Sequence, residues 1–472
     1  MFVVLAIVFI AMGTVVAKRS VFVPPKPNET PEESKQRPKG TDFTAYYSAG
    51  ELARTGQNLY NYAASSTPVR PYIYPPMFAV FPMAPLSLLP HNSAAVVFYA
   101  LNIALLFGGL WLLWKILAPP QLVPSTSYWR RPEIGCVLAL VVCWRFLHSN
   151  LMLGNANLYV FFFLSLALYL MVRRVPGAAP STPASPRNEV LSGIAVALAT
   201  TFKLTPGLFG IYFFWTFRRW AMLGGALGLA LFLLLLPSLL LGFSENWVDL
   251  KAFVSHAREK ALSEEDDSAD GETVLIGRPK KAVSPDDLPR AVGLSFRGTV
   301  VNLLTPTEAL NRGKIEGRRS VNLVNLEFKQ AQTVADICSA VLLLATVILT
   351  APGWTRAGPV PLALSWSMTT TAMVLVAPLT RSAHLVVLLI PVSVLIALLQ
   401  QERLHGLGRI LAWTTLLLLG LGSVVTSQGV LGNTWSQTIN AMGATTWPMV
   451  LLFVALGVIL FDLRTRDRAT IS

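Results

Sequence analysis

Charged residues are scarce in this sequence of 472 residues: 13% are charged, whereas 53% are hydrophobic. Soluble globular chains carry about 25% charged residues, so the deficit excludes an ordinary water-exposed surface. Apolar stretches of about 20 residues recur along the chain, as membrane-spanning helices require. The alternation typical of an outer-membrane barrel is missing, and an open sheet would leave unsatisfied edges in lipid. The remaining fold class is an all-α polytopic membrane helix bundle.

Cysteines and metal-binding motifs are also rare. Cys136, Cys143 and Cys338 lie in predicted spans without CxxC spacing, which argues against a disulfide framework or a zinc site. HExxH and DxD patterns are missing, and most of the five histidines lack ligand-like partners at regular spacing. We therefore predict no metal site and no cofactor, and we leave open a divalent cation beside a phosphate.

About twelve spans can be placed on the apolar stretches. Basic residues gather beside these stretches, and the excess of Lys and Arg gives a net charge of +13. Because positive loops favour the cytoplasm, the pattern predicts two cytoplasmic termini, contact with anionic lipid headgroups and no nucleic-acid partner. The predicted spans are 2–17, 93–117, 134–150, 153–172, 190–203, 205–217, 221–243, 333–351, 360–378, 384–400, 409–427 and 447–462.

We predict that residues 1–472 form a single transmembrane domain. Two long loops, about 18–76 and 244–332, lie on the outer side in this topology. The apolar start of the chain lacks the basic residues of a signal peptide, so we favour an uncleaved first helix. The segment 77–89 is broken by prolines, which favours a re-entrant or interfacial position over a full span.

The first outer loop contains TDFTAYYSAGELARTGQNLY, in which Asp42 precedes small residues at helical spacing. An aspartate at the mouth of a bundle, close to apolar surface, can act as a general base. The same position suits a helix N-cap equally well, so the residue alone does not decide between the two. Tyr46 in this segment and Tyr74 in the following YIYPP are candidates for sugar or acceptor contacts.

Polar residues in apolar surroundings mark further candidates. Asn155 and Asn157 in GNANLY carry amides that can bind sugar hydroxyls, although Gly and Asn also favour a tight helix–helix turn. Lys203 in TFKLTP lies in or beside a span, where a lysine is costly and marks a functional site. It can contact a phosphate as a point charge or extend to the membrane surface.

Two basic segments follow later in the chain. In PLTRSAHLVVLLIP, Arg381 can hydrogen-bond a phosphate in a bidentate manner, and His384, one turn away, can donate to a phosphate oxygen. The alternative is a loop arginine beside an interfacial histidine. Arg297 in GLSFRG ends the second outer loop, either as an ordinary solvated residue or as part of the phosphate or acceptor site.

In their order and spacing these motifs resemble glycosyltransferase family 87, within the GT-C superfamily of membrane glycosyltransferases. The resemblance covers about residues 42–391. It departs from the family pattern at three motifs, one of them before His384, where relatives often have an aromatic residue and this sequence has Ala383. Ala156 or its neighbours stand where relatives often have Gln, and GLSFRG lacks the Asn-Gln pair of the corresponding family segment.

The resemblance implies a GT-C-type bundle and an inverting hexosyltransferase, with mannose as the favoured sugar. It makes Asp42 the catalytic base, and Lys203, Arg297, Arg381 and His384 candidates for the donor phosphate. The donor would be a sugar on a polyprenyl phosphate, and the acceptor a lipid or a glycan. Nucleotide sugars are cytosolic, so an active site outside the cell membrane needs such a lipid-linked donor.

Two other functions share some of these features. A transporter or flippase of a lipid-linked sugar would usually show charged residues at mid-membrane and twofold repeats, and neither is evident. A polymerase or ligase of cell-surface polysaccharide also combines a large outer loop with Arg and His. Such enzymes generally lack a base in the first loop, so Asp42 favours the glycosyltransferase.

Overall fold

The computed structural model describes residues 7–15, 42–60, 72–117, 131–173, 184–263, 294–306, 321–351, 358–378 and 380–469. Over these ranges the chain is helical and contains no strand, which confirms the all-α fold class. The remaining parts of the two predicted outer loops lie outside the described residues. The prediction of a single domain stays a prediction.

We number the helices in chain order. They are α1 (7–15), α2 (Asp42–Arg54), α3 (Pro76–Leu86), α4 (His91–Leu117), α5 (Pro132–Val142), α6 (Trp144–Leu153), α7 (Asn157–Val172), α8 (Pro186–Phe202), α9 (Leu208–Trp215), α10 (Arg219–Leu241), α11 (Phe243–Ser263), α12 (Phe296–Leu304), α13 (Phe328–Leu349), α14 (Pro359–Val376), α15 (Ser382–Gln400), α16 (Gly406–Val425), α17 (Gln428–Ala441) and α18 (Thr446–Ala469).

Seven described helices are long and apolar enough to cross a membrane, or eight if the bent pair α5–α6 counts as one span. The chain is therefore a multi-pass membrane protein. The predicted number of about twelve is not confirmed. The further predicted spans correspond to helices that are shorter, α7, α8 and α9, or to α1, of which only residues 7–15 are described.

A sharp bend between α5 and α6 shapes the centre of the bundle. The two helices meet at Cys143 with an angle of 70°. Arg145, at the start of α6, donates to the carbonyl oxygen of Ser423 at 2.6 Å and to Thr426 Oγ1 at 3.0 Å. These bonds satisfy groups at the end of α16, where helical carbonyls lack partners. The bend lets α6 pack against the first turns of α15.

Helices α2 and α3 form an apolar cluster of their own with the start of α4 and with α7. The fully buried rings of Phe43, Tyr46, Phe78 and Phe98 lie at its centre. Segment 77–89, which we expected to be re-entrant or interfacial, contains most of the short helix α3. That helix has a non-helical residue at Phe81 (φ −143°, ψ 94°), directly before Pro82. Proline removes a backbone donor and clashes with the preceding turn, which accounts for the kink.

Glycines allow α8 and α10 to approach closely. A Cβ on Gly193 would overlap the carbonyl oxygen of Ala221, and one on Gly224 would overlap that of Val190. Small residues at helix interfaces give membrane bundles the van der Waals contact that replaces the hydrophobic effect in lipid. The pair α8–α10 therefore depends on residues that carry no side chain.

A buried ion pair fixes the same two helices at one end. Arg218, directly before α10, donates through Nη1 to Glu189 Oε1 at 2.8 Å, and both side chains are less than a tenth exposed. Glu189 lies in the first turn of α8. Breaking a buried pair leaves an uncompensated charge, so this contact sets the register of α8 against α10.

We expect Gly224→Ala to destabilise the protein by about 1–3 kcal/mol, because overpacking forces the backbone apart. Gly210→Ala is the matched control, since Gly210 lies exposed in helix α9 with no atom within 4 Å of an added Cβ. Thermal unfolding in lipid nanodiscs should show a lower midpoint for Gly224→Ala only. Equal midpoints for the two variants would contradict the close packing of α8 and α10.

Candidate functional site

Asp42 lies at the first position of α2 and faces the bundle. Its Oδ2 accepts a hydrogen bond from Asn155 Nδ2 at 2.7 Å. The sequence left open a base or a helix N-cap for this residue. The structure places it at a helix start and, at the same time, in a side-chain contact with a loop 113 residues further along the chain. A position at the start of a helix also favours the negative charge.

The turn after α6 brings Asn155 to this carboxylate. Helix α6 ends at Gly154, which has the left-handed conformation (φ +61°). The backbone N–H of Asn155 donates to the backbone carbonyl oxygen of Asn150 at 3.0 Å. Glycine is the usual residue in such a helix end because it has no Cβ. The tight-turn interpretation is therefore correct for Gly154. The two asparagines that follow are 3% and 2% exposed and point inward.

Asn157 is the centre of a hydrogen-bond network. Its Nδ2 lies 2.6 Å from Asn155 Oδ1, 3.0 Å from the carbonyl oxygen of Ala383 and 3.1 Å from Asn150 Oδ1. Asn150 is fully buried and also donates through Nδ2 to the carbonyl oxygen of Asn155 at 3.2 Å. The network thus joins the turn after α6 to the first turns of α15.

Lys203 completes this chain of contacts. It stands at the end of α8 in an extended conformation, before a short 3-10 turn at Thr205–Gly207. Its Nζ donates to Asn157 Oδ1 at 2.8 Å. The ammonium is therefore directed into the bundle instead of extending to the membrane surface. A continuous path of side-chain hydrogen bonds leads from Lys203 through two amides to Asp42.

A group of tyrosines covers the other side of Asp42. The hydroxyl of Tyr46 donates to that of Tyr74 at 2.9 Å. Burial, followed by the Asp42 charge, raises the pKa of Tyr74 well above its ordinary value. Its phenol is therefore protonated at neutral pH. Tyr46 is 1% exposed and packs edge-on against Tyr74 and Phe78.

Arg381 and His384 lie at the start of α15, beside this network. The Arg381 charge acts on both Tyr74 and Lys203, which places it in their vicinity. The backbone N–H of Arg381 points to His384 Nδ1 at 3.3 Å. Because Nδ1 accepts there, Nε2 is the nitrogen that carries a hydrogen and can donate. The spacing predicted an α-helical turn, and the structure has 3-10 turns over Ser382–Leu388.

Arg297 makes a different set of contacts. Its Nε donates to Asp336 Oδ1 on α13 at 2.7 Å, with the arginine side chain 20% exposed. The segment before it is nevertheless close to the site, since the Leu294 N–H donates to the carbonyl oxygen of Thr380 at 2.7 Å. The structure does not bring Arg297 into the hydrogen bonds around Asp42. Its assignment to the donor phosphate stays a prediction.

Apart from Arg297, which pairs with Asp336, the predicted residues fall into three groups. Asp42, Asn155, Asn157 and Lys203 form one hydrogen-bonded chain, with Tyr46 and Tyr74 beside it and Arg381 and His384 at one edge. Asn150 was missed. The available signal was three asparagines within eight residues of an apolar region, which is unusual because buried amides need partners.

The segment predicted as the second outer loop also contributes a residue that sequence reasoning missed. Asp249 on α11 is 2% exposed, and its Oδ1 accepts from the Leu59 N–H at 3.3 Å. This contact holds the TGQNLY turn that follows α2. Among the described residues, no group of three or more His, Cys, Asp or Glu side chains could hold a metal ion.

The fold and the site define a multi-pass membrane protein with a carboxylate, an ammonium and amides linked inside the bundle. Residues 72–279 match the family model of glycosyltransferase family 87, which confirms the resemblance of the motifs to this family. The match covers a little less than half of the chain. It includes Tyr74, Asn155, Asn157 and Lys203, whereas Asp42 lies before it.

Solved structures with a similar fold include ArnT from Cupriavidus metallidurans. The apo form has a TM-score of 0.38 and 13% identity, and the form bound to undecaprenyl phosphate has a TM-score of 0.40 and 14% identity. Each alignment covers 96% of this chain and 77% of the ArnT chain. No curated protein matches the sequence.

Stability should depend on pH through Asp249. Burial raises the pKa of its carboxyl to about 6, against about 3.9 in an unfolded chain. Folding therefore favours the neutral carboxyl of Asp249. Its contribution to the free energy of unfolding is complete at low pH and is lost as pH rises through about 6. We expect the unfolding midpoint to fall between pH 5 and 7.5 less steeply in Asp249→Asn, which keeps an oxygen for Leu59.

Glu133→Gln provides the control, because Glu133 is exposed at the start of α5. The unfolding midpoint of this variant should change with pH as that of the unmodified protein does. If Asp249→Asn kept the same slope as well, the titration of Asp249 would have no part in the stability of the outer loops.

Proposed function

We propose that this protein transfers a hexose, with mannose favoured, from a polyprenyl-phosphate carrier to a lipid or glycan acceptor. Asp42 is the general base and the active site faces the outside of the cell membrane. The observation that carries the proposal is the contact between Asp42 and Asn155 in a network that also holds Lys203. The match to glycosyltransferase family 87 supports sugar transfer over a transporter or a flippase.

The reaction needs a base for the acceptor hydroxyl and positively charged or donating groups for the leaving phosphate. Asp42 removes the proton from an acceptor hydroxyl, and the oxygen then attacks the anomeric carbon of the donor sugar. The bond from that carbon to the phosphate oxygen breaks, so the configuration is inverted and polyprenyl phosphate leaves. The proton stays on Asp42 until it passes to water. Negative charge develops on the phosphate, which requires cations or hydrogen-bond donors nearby.

Lys203, Arg381 and His384 supply these donors in the proposal. The Asp42 and Arg381 charges both act on Lys203, so one carboxylate and two cations share a small region. Arginine can bind two phosphate oxygens at once, and His384 Nε2 can donate while Nδ1 is occupied by a backbone N–H. Arg297 is kept as a candidate for the outer edge of the same site. Neither the donor nor the acceptor is present in the structure.

A sugar contact is proposed at Tyr74, with Tyr46, Asn155 and Asn157 beside it. Tyr74 is partly exposed and its phenol is protonated, so it can donate to or accept from a sugar hydroxyl. The other three residues are nearly fully buried. They therefore support the sugar site from behind, through Tyr74 and Asp42.

Asp42→Asn should reduce the turnover number by about 10²–10⁴-fold, because an amide cannot accept the proton. The amide keeps an oxygen that can accept from Asn155, so donor binding and thermal stability should persist. The measurement is release of polyprenyl phosphate from a mannosyl carrier by purified protein in lipid, with donor binding followed in parallel.

Glu51→Gln is the control on the same helix, since Glu51 is also an acid and is not part of the network. It should leave turnover unchanged. Full activity of Asp42→Asn would remove Asp42 from the mechanism, and loss of activity together with loss of donor binding would indicate a structural role only.

The proposed topology can be tested by thiol labelling in intact cells. With the three native cysteines replaced by Ser, Gln57→Cys should react with an impermeant reagent added outside, and Arg403→Cys should react only after the cells are opened. Both positions are exposed in the structure. The reverse pattern, or labelling of both from outside, would contradict an outer active site with cytoplasmic termini.

A further inference from the structure

We propose that Asn157 is a positioning residue that sets the orientation of the Asn155 amide and, through it, of the Asp42 carboxylate. This inference rests on the proposed function for its role in catalysis, whereas its geometry is independent of any reaction. It concerns two residues that the sequence assigned to sugar binding. The structure shows which groups of the protein these two side chains contact.

The direction of the chain follows from which groups can donate. The carbonyl oxygen of Ala383 can only accept, so it requires Asn157 Nδ2, and on the other side Lys203 Nζ donates to Asn157 Oδ1. Two independent partners therefore fix the same orientation of this amide. Its Nδ2 then faces Asn155 Oδ1 at 2.6 Å, which turns Asn155 Nδ2 toward Asp42.

Burial makes this orientation costly to reverse. Asn155 and Asn157 are 3% and 2% exposed, so water cannot readily replace a lost partner. A reversed Asn155 would direct its oxygen at the Asp42 carboxylate and its NH₂ group at that of Asn157. Both contacts would be repulsive, and unsatisfied buried groups cost about 1–3 kcal/mol each. The donor to Asp42 is thus held in place by a residue that does not contact Asp42 in the hydrogen-bond chain.

The same amide connects two parts of the proposed site. Ala383 lies between Arg381 and His384, and its carbonyl oxygen accepts from Asn157. The proposed base and the proposed phosphate donors are therefore anchored on one side chain. A displacement of the first turns of α15 would therefore reorient the Asn157 amide and, through Asn155, the hydrogen bond to Asp42.

Asn157→Asp is the test substitution, because it replaces Nδ2 by an oxygen at nearly constant shape. Its carboxylate can pair with Lys203, so no buried charge is left alone. It can no longer donate to Asn155, which is then free to turn its oxygen toward Asp42. We expect the titration midpoint of Asp42 to rise by about one pH unit, as expected for a lost donor to the charged form.

A double-mutant cycle separates this effect from the added negative charge. Asn157→Asp is compared in the native background and in Asn155→Ala, where no amide remains to be reoriented. The readout is infrared titration of the carboxyl C=O band that Asp42→Asn removes in each background. Tyr46, Tyr74 and Lys203 lie near the Asp42 charge, and Arg381 lies near Tyr74 and Lys203; none of these four residues is substituted in the cycle.

The expected result is a clearly smaller shift in the Asn155→Ala background than in the native one. Equal shifts would overturn the proposal, because Asn157 would then act through charge alone. Asn188→Asp, at a distant amide that contacts the Arg173 carbonyl oxygen, should not shift the midpoint. If Asn157→Asp does not fold, Asn157→Ala replaces it in the same cycle, with the same criterion.

The titration uses resting protein, so its outcome does not depend on sugar transfer. Absence of turnover in the unmodified protein would refute the proposed function and leave the cycle interpretable. If transfer occurs, Asn157→Asp should lower the turnover number with little change in the KM for the donor. Additive shifts together with normal transfer would refute the positioning role alone.

Discussion

A buried polar group must find its partner within the protein, and this constraint decides the arrangement around Asp42. Water is scarce inside a membrane bundle, so a carboxylate and an ammonium there need donors and acceptors from the chain. Two asparagine amides supply them between Asp42 and Lys203. Because each amide has one accepting and one donating end, the chain of bonds has a defined direction. The helices are placed so that this chain closes.

Three features of the helix bundle position the side chains of this hydrogen-bond chain. The bend at Cys143 brings α6 against the start of α15, and the left-handed Gly154 turns the chain back so that Asn155 and Asn157 enter the bundle. The glycine contacts and the Glu189–Arg218 pair hold α8 against α10, which fixes the helix whose end carries Lys203. Asp249 secures the turn behind α2. Features far from Asp42 thus determine its surroundings.

Much of the fold could be predicted because hydropathy is a local property. Most predicted spans correspond to described helices within a few residues, and the break at Lys203 was correctly placed. The bend at Cys143 could not be predicted, since Arg145 meets the end of α16 only in the folded chain. Likewise, the sequence does not show that Arg297 meets Asp336 or that Asn150 supports Asn157. These contacts join residues that only the folded chain brings together, and the family resemblance carried the grouping of Asp42 with Lys203.

The hydrogen-bond capacity of Asn157 Nδ2 affects which groups can bind beside the network. It carries two hydrogens but lies within 3.1 Å of three oxygens, from Asn155, Ala383 and Asn150. The network therefore contains more lone pairs than hydrogens to fill them. An approaching group gains by bringing a hydrogen and loses by bringing another lone pair. A hydroxyl-rich molecule meets that condition.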